Sequence, residues 1–240
     1  MSLILAFCAF LFTVLGGVIG IKHHDKLHLI LGFTAGILLS VVSFGLLPEI
    51  MELIEETGMD PVYPMTALVA GFLGFHILEK LVLLHHSHDH SYGEHKHPHV
   101  GIMSALAISG HAFLDGVGIG LGFQVSPITG ALIATAVVGH AFSDGLNTVS
   151  LMLLHKNTSK KALVFLMINA IAPVLGVLST MLFNLPAGAL VLYLGFFAGF
   201  LLYIGASEIL PEAHSKNSSV RTILMTLLGV GFIFLVTRLA

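Results

Sequence analysis

Apolar residues fill the chain in long runs, broken by short clusters of charge, proline or glycine. The runs predict eight spans, near 3–21, 28–47, 62–84, 101–123, 128–154, 162–182, 188–211 and 221–239. Runs of about twenty residues suit α-helices crossing a bilayer. No ten-residue alternating segments of the kind that build a membrane β-barrel occur. The first run lacks a basic leader and a small-residue cleavage site, so it reads as a span and not as a signal peptide. The expectation is an all-α integral membrane protein with a single transmembrane domain over residues 1–240.

The polar positions between the runs set the orientation. Lys22, Lys26, Lys80, Lys96, Lys156, Lys160, Lys161, Lys216 and Arg221 lie in or beside the odd-numbered loops, and only Arg238 lies on the other side. By the positive-inside bias this puts both termini outside and the long 85–99 loop in the cytoplasm. The acidic stretch "EIMELIEETGMD" then faces outside, as a solvated loop or as an attractor of cations.

The apolar pattern also repeats. Residues 31–50, "LGFTAGILLSVVSFGLLPEI", align without gaps to residues 194–213, "LGFFAGFLLYIGASEILPEA", with ten identities in twenty. These are spans two and seven, which cross in opposite directions. Spans four and five share a second motif, "HAFLDG" at 111–116 and "HAFSDG" at 140–145. Together they predict a 3+2+3 inverted-repeat bundle, an arrangement that in transporters puts the substrate site near midplane at the repeat interface.

Composition adds one anomaly to this picture. The chain is 56% hydrophobic and only 10% charged, as a membrane protein should be, and its net charge of −3 gives no reason to expect nucleic acid. Its one cysteine excludes an internal disulfide framework. Yet it carries fifteen histidines against four tyrosines.

Four of the polar groups form the doubled motif. His111 and Asp115 are four residues apart, so one helical face presents both, and His140 and Asp144 repeat the spacing. If the two faces meet, two imidazole nitrogens and two carboxylate oxygens converge, a donor set that suits tetrahedral Zn²⁺. Two carboxylates and one divalent ion sum to zero charge, whereas an unpaired Asp at midplane costs about 2.5–3.5 kcal/mol. Gly116 and Gly145 follow the two Asp residues and allow close helix approach. The same side chains also suit hydrogen bonding between helices, or a proton relay.

Seven more histidines, His85, His86, His88, His90, His95, His97 and His99, crowd the 85–99 loop, a composition that captures metal ions loosely. Glu49, His76, Glu79, Asn147, Glu208, Glu212 and His214 are candidate waypoints for an ion, or interfacial and capping side chains.

On these motifs the sequence resembles the Zrt-, Irt-like (ZIP) family of divalent metal transporters. The likeness rests on the eight spans, the His-rich loop after span three and the His-x-x-x-Asp-Gly pairs on spans four and five. The Leu-Pro-Glu endings of spans two and seven and "APVLG" on span six add to it. The resemblance implies uptake of Zn²⁺, or of Fe²⁺, Mn²⁺ or Cd²⁺, into the cytoplasm, with the lipid bilayer as surroundings and frequent homodimers. It also implies a midplane site at His111, Asp115, His140 and Asp144. A second adjacent site, common in the family, would use positions held here by Ala112, Ala141 and Ala172, so a single four-ligand site is expected. The family's usual Glu is replaced by the shorter Asp, which calls for closer helices or a bridging water. Two other functions use similar chemistry. An intramembrane zinc hydrolase needs an open metal position and a general acid or base, and no His-Glu-x-x-His is present. A proton-coupled exporter of the cation-diffusion type shares the His-x-x-x-Asp helices but has six spans. The expectation is a transporter and not an enzyme.

Overall fold

Hydrocarbon leaves no partner for a bare backbone N–H or C=O, so an apolar chain of this kind closes its hydrogen bonds within helices. The computed structural model describes residues 1–20, 27–84, 98–215 and 219–239, and among them it forms eight helical rods and no strand. We number them by span. They are α1 (Ser2–Gly20), α2 (from Leu27), α3 (Val62–Leu84), α4 (Pro98–Val125), α5 (Pro127–Leu154), α6 (Ser159–Thr180), α7 (from Ala187) and α8 (Val220–Leu239).

Two rods carry a π segment within them. Helix α2 is α-helical over Leu27–Ser40, π-helical over Val41–Leu46 and α-helical again over Leu47–Thr57. Helix α7 does the same over Ala187–Tyr203, Ile204–Ile209 and Leu210–Ser215. The π segments therefore fall at matching places in the 31–50 and 194–213 repeat, each two residues before its proline, Pro48 or Pro211. A proline offers no N–H and crowds the carbonyl four residues back, and the wider π turn relieves that clash. The chain then stays helical through most of the acidic stretch expected as a loop. Ile50 and Ile54 are buried there while Glu52, Glu55 and Glu56 are exposed, and Gly58 ends the helix at φ 66°.

Six of the described helices are long and apolar enough to cross a membrane, namely α1, α2, α4, α6, α7 and α8. Helix α3 contributes a shorter apolar stretch, Val62–Leu78. Helix α5 is long but less apolar, because it sits at the centre and faces protein on most sides. Gly130, Thr129, His140, Ser143, Gly145 and Thr148 are all buried along it.

Glycines set the closest crossings. A Cβ on Gly145 would stand 1.9 Å from the Thr13 carbonyl oxygen, and one on Gly16 would stand 1.9 Å from that of Phe142, so α1 and α5 touch backbone to backbone. Gly116 and Gly176 do the same between α4 and α6, where a Cβ on Gly116 would lie 2.0 Å from Pro173 O. Gly71, Gly195 and Gly199 bring α3 against α7, and Gly36 and Gly229 bring α2 against α8. Gly116 and Gly145 thus draw in two different outer helices, and do not face each other. Helices α4 and α5 pack side by side at the centre.

Candidate metal centre

The turn between α4 and α5 fixes their register. Ser126 is the one residue between the two helices, and its hydroxyl accepts from Thr129 N–H at 3.1 Å while Pro127 opens α5. Counted from Ser126, Asp115 is eleven residues away, His140 fourteen, His111 fifteen and Asp144 eighteen. At 1.5 Å per residue the four side chains stand at roughly 16–27 Å from the turn, within reach of one another.

They meet. One donor atom from each of His111, Asp115, His140 and Asp144 lies within 4.8 Å of every other. Asp115 Oδ2 is the hub, 3.0 Å from His140 Nε2 and 3.3 Å from His111 Nε2, and Asp144 Oδ2 is 3.7 Å from His140 Nε2. A tetrahedral Zn²⁺ with bonds of about 2.0–2.2 Å needs donors roughly 3.3–3.6 Å apart. The three closest of these pairs, at 3.0–3.7 Å, are near that spacing. His140 Nδ1 lies 2.8 Å from Ala136 O. A proton there is donated to the carbonyl, which leaves the Nε2 lone pair for a metal. Two further atoms of the set, His111 Nε2 and Asp115 Oδ1, are buried without a well-directed hydrogen bond. Buried polar atoms left open in this way fit a site built for an ion.

The four side chains differ in exposure. Asp115 and His140 are sealed, whereas His111 and Asp144 keep 14% and 15% of their side-chain surface. Those two open onto a cavity of about 400 Å³ lined also by Ser104, Asn147, Leu151, Ser207, Glu208 and Glu212. Polar contacts brace the helix behind them. Asn169 Nδ2 of α6 donates to Thr148 Oγ1 at 2.9 Å, and that hydroxyl donates to the Asp144 carbonyl at 2.7 Å. On the other flank Thr34 Oγ1 of α2 donates to Gly139 O at 3.0 Å, beside His140.

Residues 84–237 match the family model described as ZIP zinc transporter. The chain belongs to the ZIP family. No curated protein matches it. As a ZIP protein it is a multi-pass membrane transporter whose substrates are divalent metal ions, and the family consists of transporters and not enzymes.

The other sequence candidates are scattered in this ZIP protein. Asn147, Glu208 and Glu212 line the cavity with the ligands. Glu49 stands apart beside Thr129 at the start of α5. His76 packs edge-on to Tyr203, with ring centres 5.7 Å apart. His214 Nδ1 lies 2.9 Å from Leu210 O, and its side chain lines a separate apolar groove with Ile223 and Leu227. Glu79 is carried by α3. His99 is exposed on the first turn of α4, and His85, His86, His88, His90, His95 and His97 lie outside the described residues. Ala112, Ala141 and Ala172 are buried. Ser104 and Ser207, which line the cavity, carried no sequence signal beyond being polar in apolar helices. Thr34, Thr148 and Asn169 were equally unmarked, and only their spacing from the motif residues on packed helices reveals them.

Proposed function

We propose that the protein moves zinc into the cytoplasm through one four-ligand site made by His111, Asp115, His140 and Asp144 near the middle of the bilayer. The observation that carries this reading is the convergence of the two His-Asp pairs within 4.8 Å. Two carboxylates balance the charge of the ion, so a loaded site has little net charge to hold in hydrocarbon. Replacement of the usual second-site positions by Ala112, Ala141 and Ala172 leaves no donors for a neighbouring ion.

The inward direction is the one the family likeness implies, and the cavity supports an exit on that side. The cavity runs from His111 and Asp144 to Glu208 and Glu212. These lie near the ends of α3, α5 and α7 that adjoin the basic loops, the side that the positive-inside bias makes cytoplasmic. Asn147, Glu208 and Glu212 give the departing ion oxygen donors along that route. On the same orientation both termini are outside and the 85–99 loop is cytoplasmic, with a composition that captures metal ions loosely.

A single domain with a 3+2+3 inverted repeat is supported by how the rods pair. Helices α1 with α5, and α6 with α4, pack in matching fashion, as do α3 with α7 and α8 with α2. The π segments at 41–46 and 204–209 match as well. Such a bundle reaches the site from either side in turn.

Reconstitution into proteoliposomes tests the reading, with Zn²⁺, Fe²⁺, Mn²⁺ and Cd²⁺ supplied on one side at set pH gradients. Zinc flux is expected, and it should vanish when the four ligands are replaced by alanine. Equal flux through the wild type and the four-alanine protein would remove the site from the path.

A further inference from the structure

The two histidines of the cluster are held in different ways. His140 is fixed by a hydrogen bond, with Nδ1 2.8 Å from Ala136 O. No bond of that kind fixes His111 among the described residues, and its Nε2 is buried without one. Yet that nitrogen stands 3.3 Å from the hub oxygen, Asp115 Oδ2. An imidazole can turn about two side-chain bonds, so something other than a hydrogen bond sets its direction.

Two aromatic rings do so. Phe200 of α7 stands 4.8 Å from the His111 ring, centre to centre, at 64° to it. Phe75 of α3 stands 6.3 Å from the same ring at 84°. Both fit the edge-to-face packing that aromatic rings prefer at about 4.5–7 Å. The two phenylalanines also lie against each other, with centres 4.0 Å apart.

The crossing of α3 and α7 seats the pair. A Cβ on Gly71 would stand 2.0 Å from Phe196 O, and one on Gly199 would stand 1.9 Å from Leu68 O, so the two backbones touch. Phe75 lies one turn beyond Gly71, and Phe200 follows Gly199. Phe200 is buried, whereas Phe75 is half-buried and lines the cavity together with His111. The clamp thus belongs to two helices that supply none of the four side chains of the cluster.

We propose that Phe75 and Phe200 are positioning residues for the metal site: packed on the His111 imidazole from α3 and α7, they hold its Nε2 toward Asp115 Oδ2, the part that the Ala136 carbonyl plays for His140. The inference rests on the four-ligand reading above. Apolar rings suit this task, because they restrict the imidazole without competing for its lone pair. Without them His111 turns among its rotamers, and the ion is left with three firm ligands.

Zinc uptake by the full chain in liposomes is the test. Phe75→Leu and Phe200→Leu each replace a flat ring by an aliphatic group. Each is expected to raise the zinc KM about 3–10-fold at unchanged turnover, the scale of one aromatic pair. A merely structural role would lower the maximal rate, through fewer folded molecules, and leave KM alone. Phe75→Tyr keeps the ring and should restore the wild-type KM. In a His111→Asn background the two leucine substitutions should add nothing, because the ring they orient is gone. A KM within about twofold of wild type in either folded variant, the same rise on top of His111→Asn, or a Phe75→Tyr protein as impaired as Phe75→Leu would overturn the assignment. Phe75 is half-buried at the cavity, so its variants carry the test if Phe200→Leu folds poorly. If His111→Asn itself takes up zinc with the wild-type KM, the four-ligand site has failed, and not the clamp alone.

Discussion

His140 Nε2 and Asp115 Oδ2 stand 3.0 Å apart across the two central helices, and both side chains are sealed from solvent. Asp144 meets the same imidazole at 3.7 Å from the rim of the cavity. The two acids are alike in sequence and unlike in place. Asp115→Ala should abolish zinc binding, because it removes the hub oxygen and leaves only the rim carboxylate of Asp144 beside the two imidazoles. Asp144→Ala should weaken binding without abolishing it, because water from the cavity can take its coordination position. Isothermal titration of the two variants checks the order. Equal losses would mean that the site does not distinguish the buried acid from the rim acid.

The glycine crossings predict a cost for a single methyl group. Gly116→Ala and Gly145→Ala each drive a Cβ into a backbone carbonyl at 2.0 and 1.9 Å. Backbone yields less readily than a side chain, so each change should cost about 1–3 kcal/mol and shift the neighbouring Asp. Both thermal stability and zinc affinity are expected to fall. Gly231→Ala, where a Cβ meets nothing within 4 Å, is the control and should be neutral or stabilising. Thermal melts with and without zinc separate the two cases.

Acid should compete with the ion. A His ligand binds metal only when neutral and an Asp ligand only when ionised, and free His protonates near pH 6.5, well before Asp near 3.9. Falling pH therefore removes the imidazoles first. In protein lacking residues 85–97, zinc affinity is expected to drop steeply below about pH 7, with up to two protons taken up per ion released. His111→Asn with His140→Asn should flatten that profile at some loss of affinity. A constant affinity from about pH 7.5 to 5.5 in the loop-deleted protein would remove the histidines from the ligand set.

The alanines of the missing second site give a gain-of-function test. Ala112 and Ala172 are buried on the two helices that Gly116 and Gly176 hold in contact. Ala112→Asn with Ala172→Glu should restore donors there and raise the intramembrane zinc count from one to two per chain, the second site binding more weakly. Metal analysis of the loop-deleted protein reads the count directly. Two tight ions in the unaltered sequence would contradict the single-site reading.

Much of this was legible in the residues. The doubled His-x-x-x-Asp carried the four-residue cluster, because i and i+4 share a helical face and a one-residue turn sets the two long helices side by side. The Lys and Arg of the odd-numbered loops gave an expected orientation through the positive-inside bias. Other features depend on what packs beside what. Asp115 and Asp144 sit in nearly the same local sequence, yet packing seals one and leaves the other at the rim of the cavity. Gly116 and Gly145 advertised close packing without saying which helix would fill the gap. Helix α5 looks less apolar than its neighbours because it is surrounded by protein, so its composition reports its position more than its span. The acidic run after Pro48 reads as a loop by charge, yet Ile50 and Ile54, four residues apart, hold it helical against the bundle.

The paired π segments bear on how the two long rods are phased. Each residue of an α-helix turns the chain by about 100°, so one residue of surplus in a turn rotates everything beyond it by about that angle. Before its π segment α7 offers Gly195 and Gly199 to α3, and beyond it Glu212 lines the cavity. Before its own, α2 offers Gly36 to α8, and Gly45 within the segment turns to Leu132 of α5. Each rod is in effect two dials on one shaft, set to different neighbours. Removing a single residue from 204–209 would leave the helix intact and reset the second dial, swinging Glu212 away from the route that begins at Asp144.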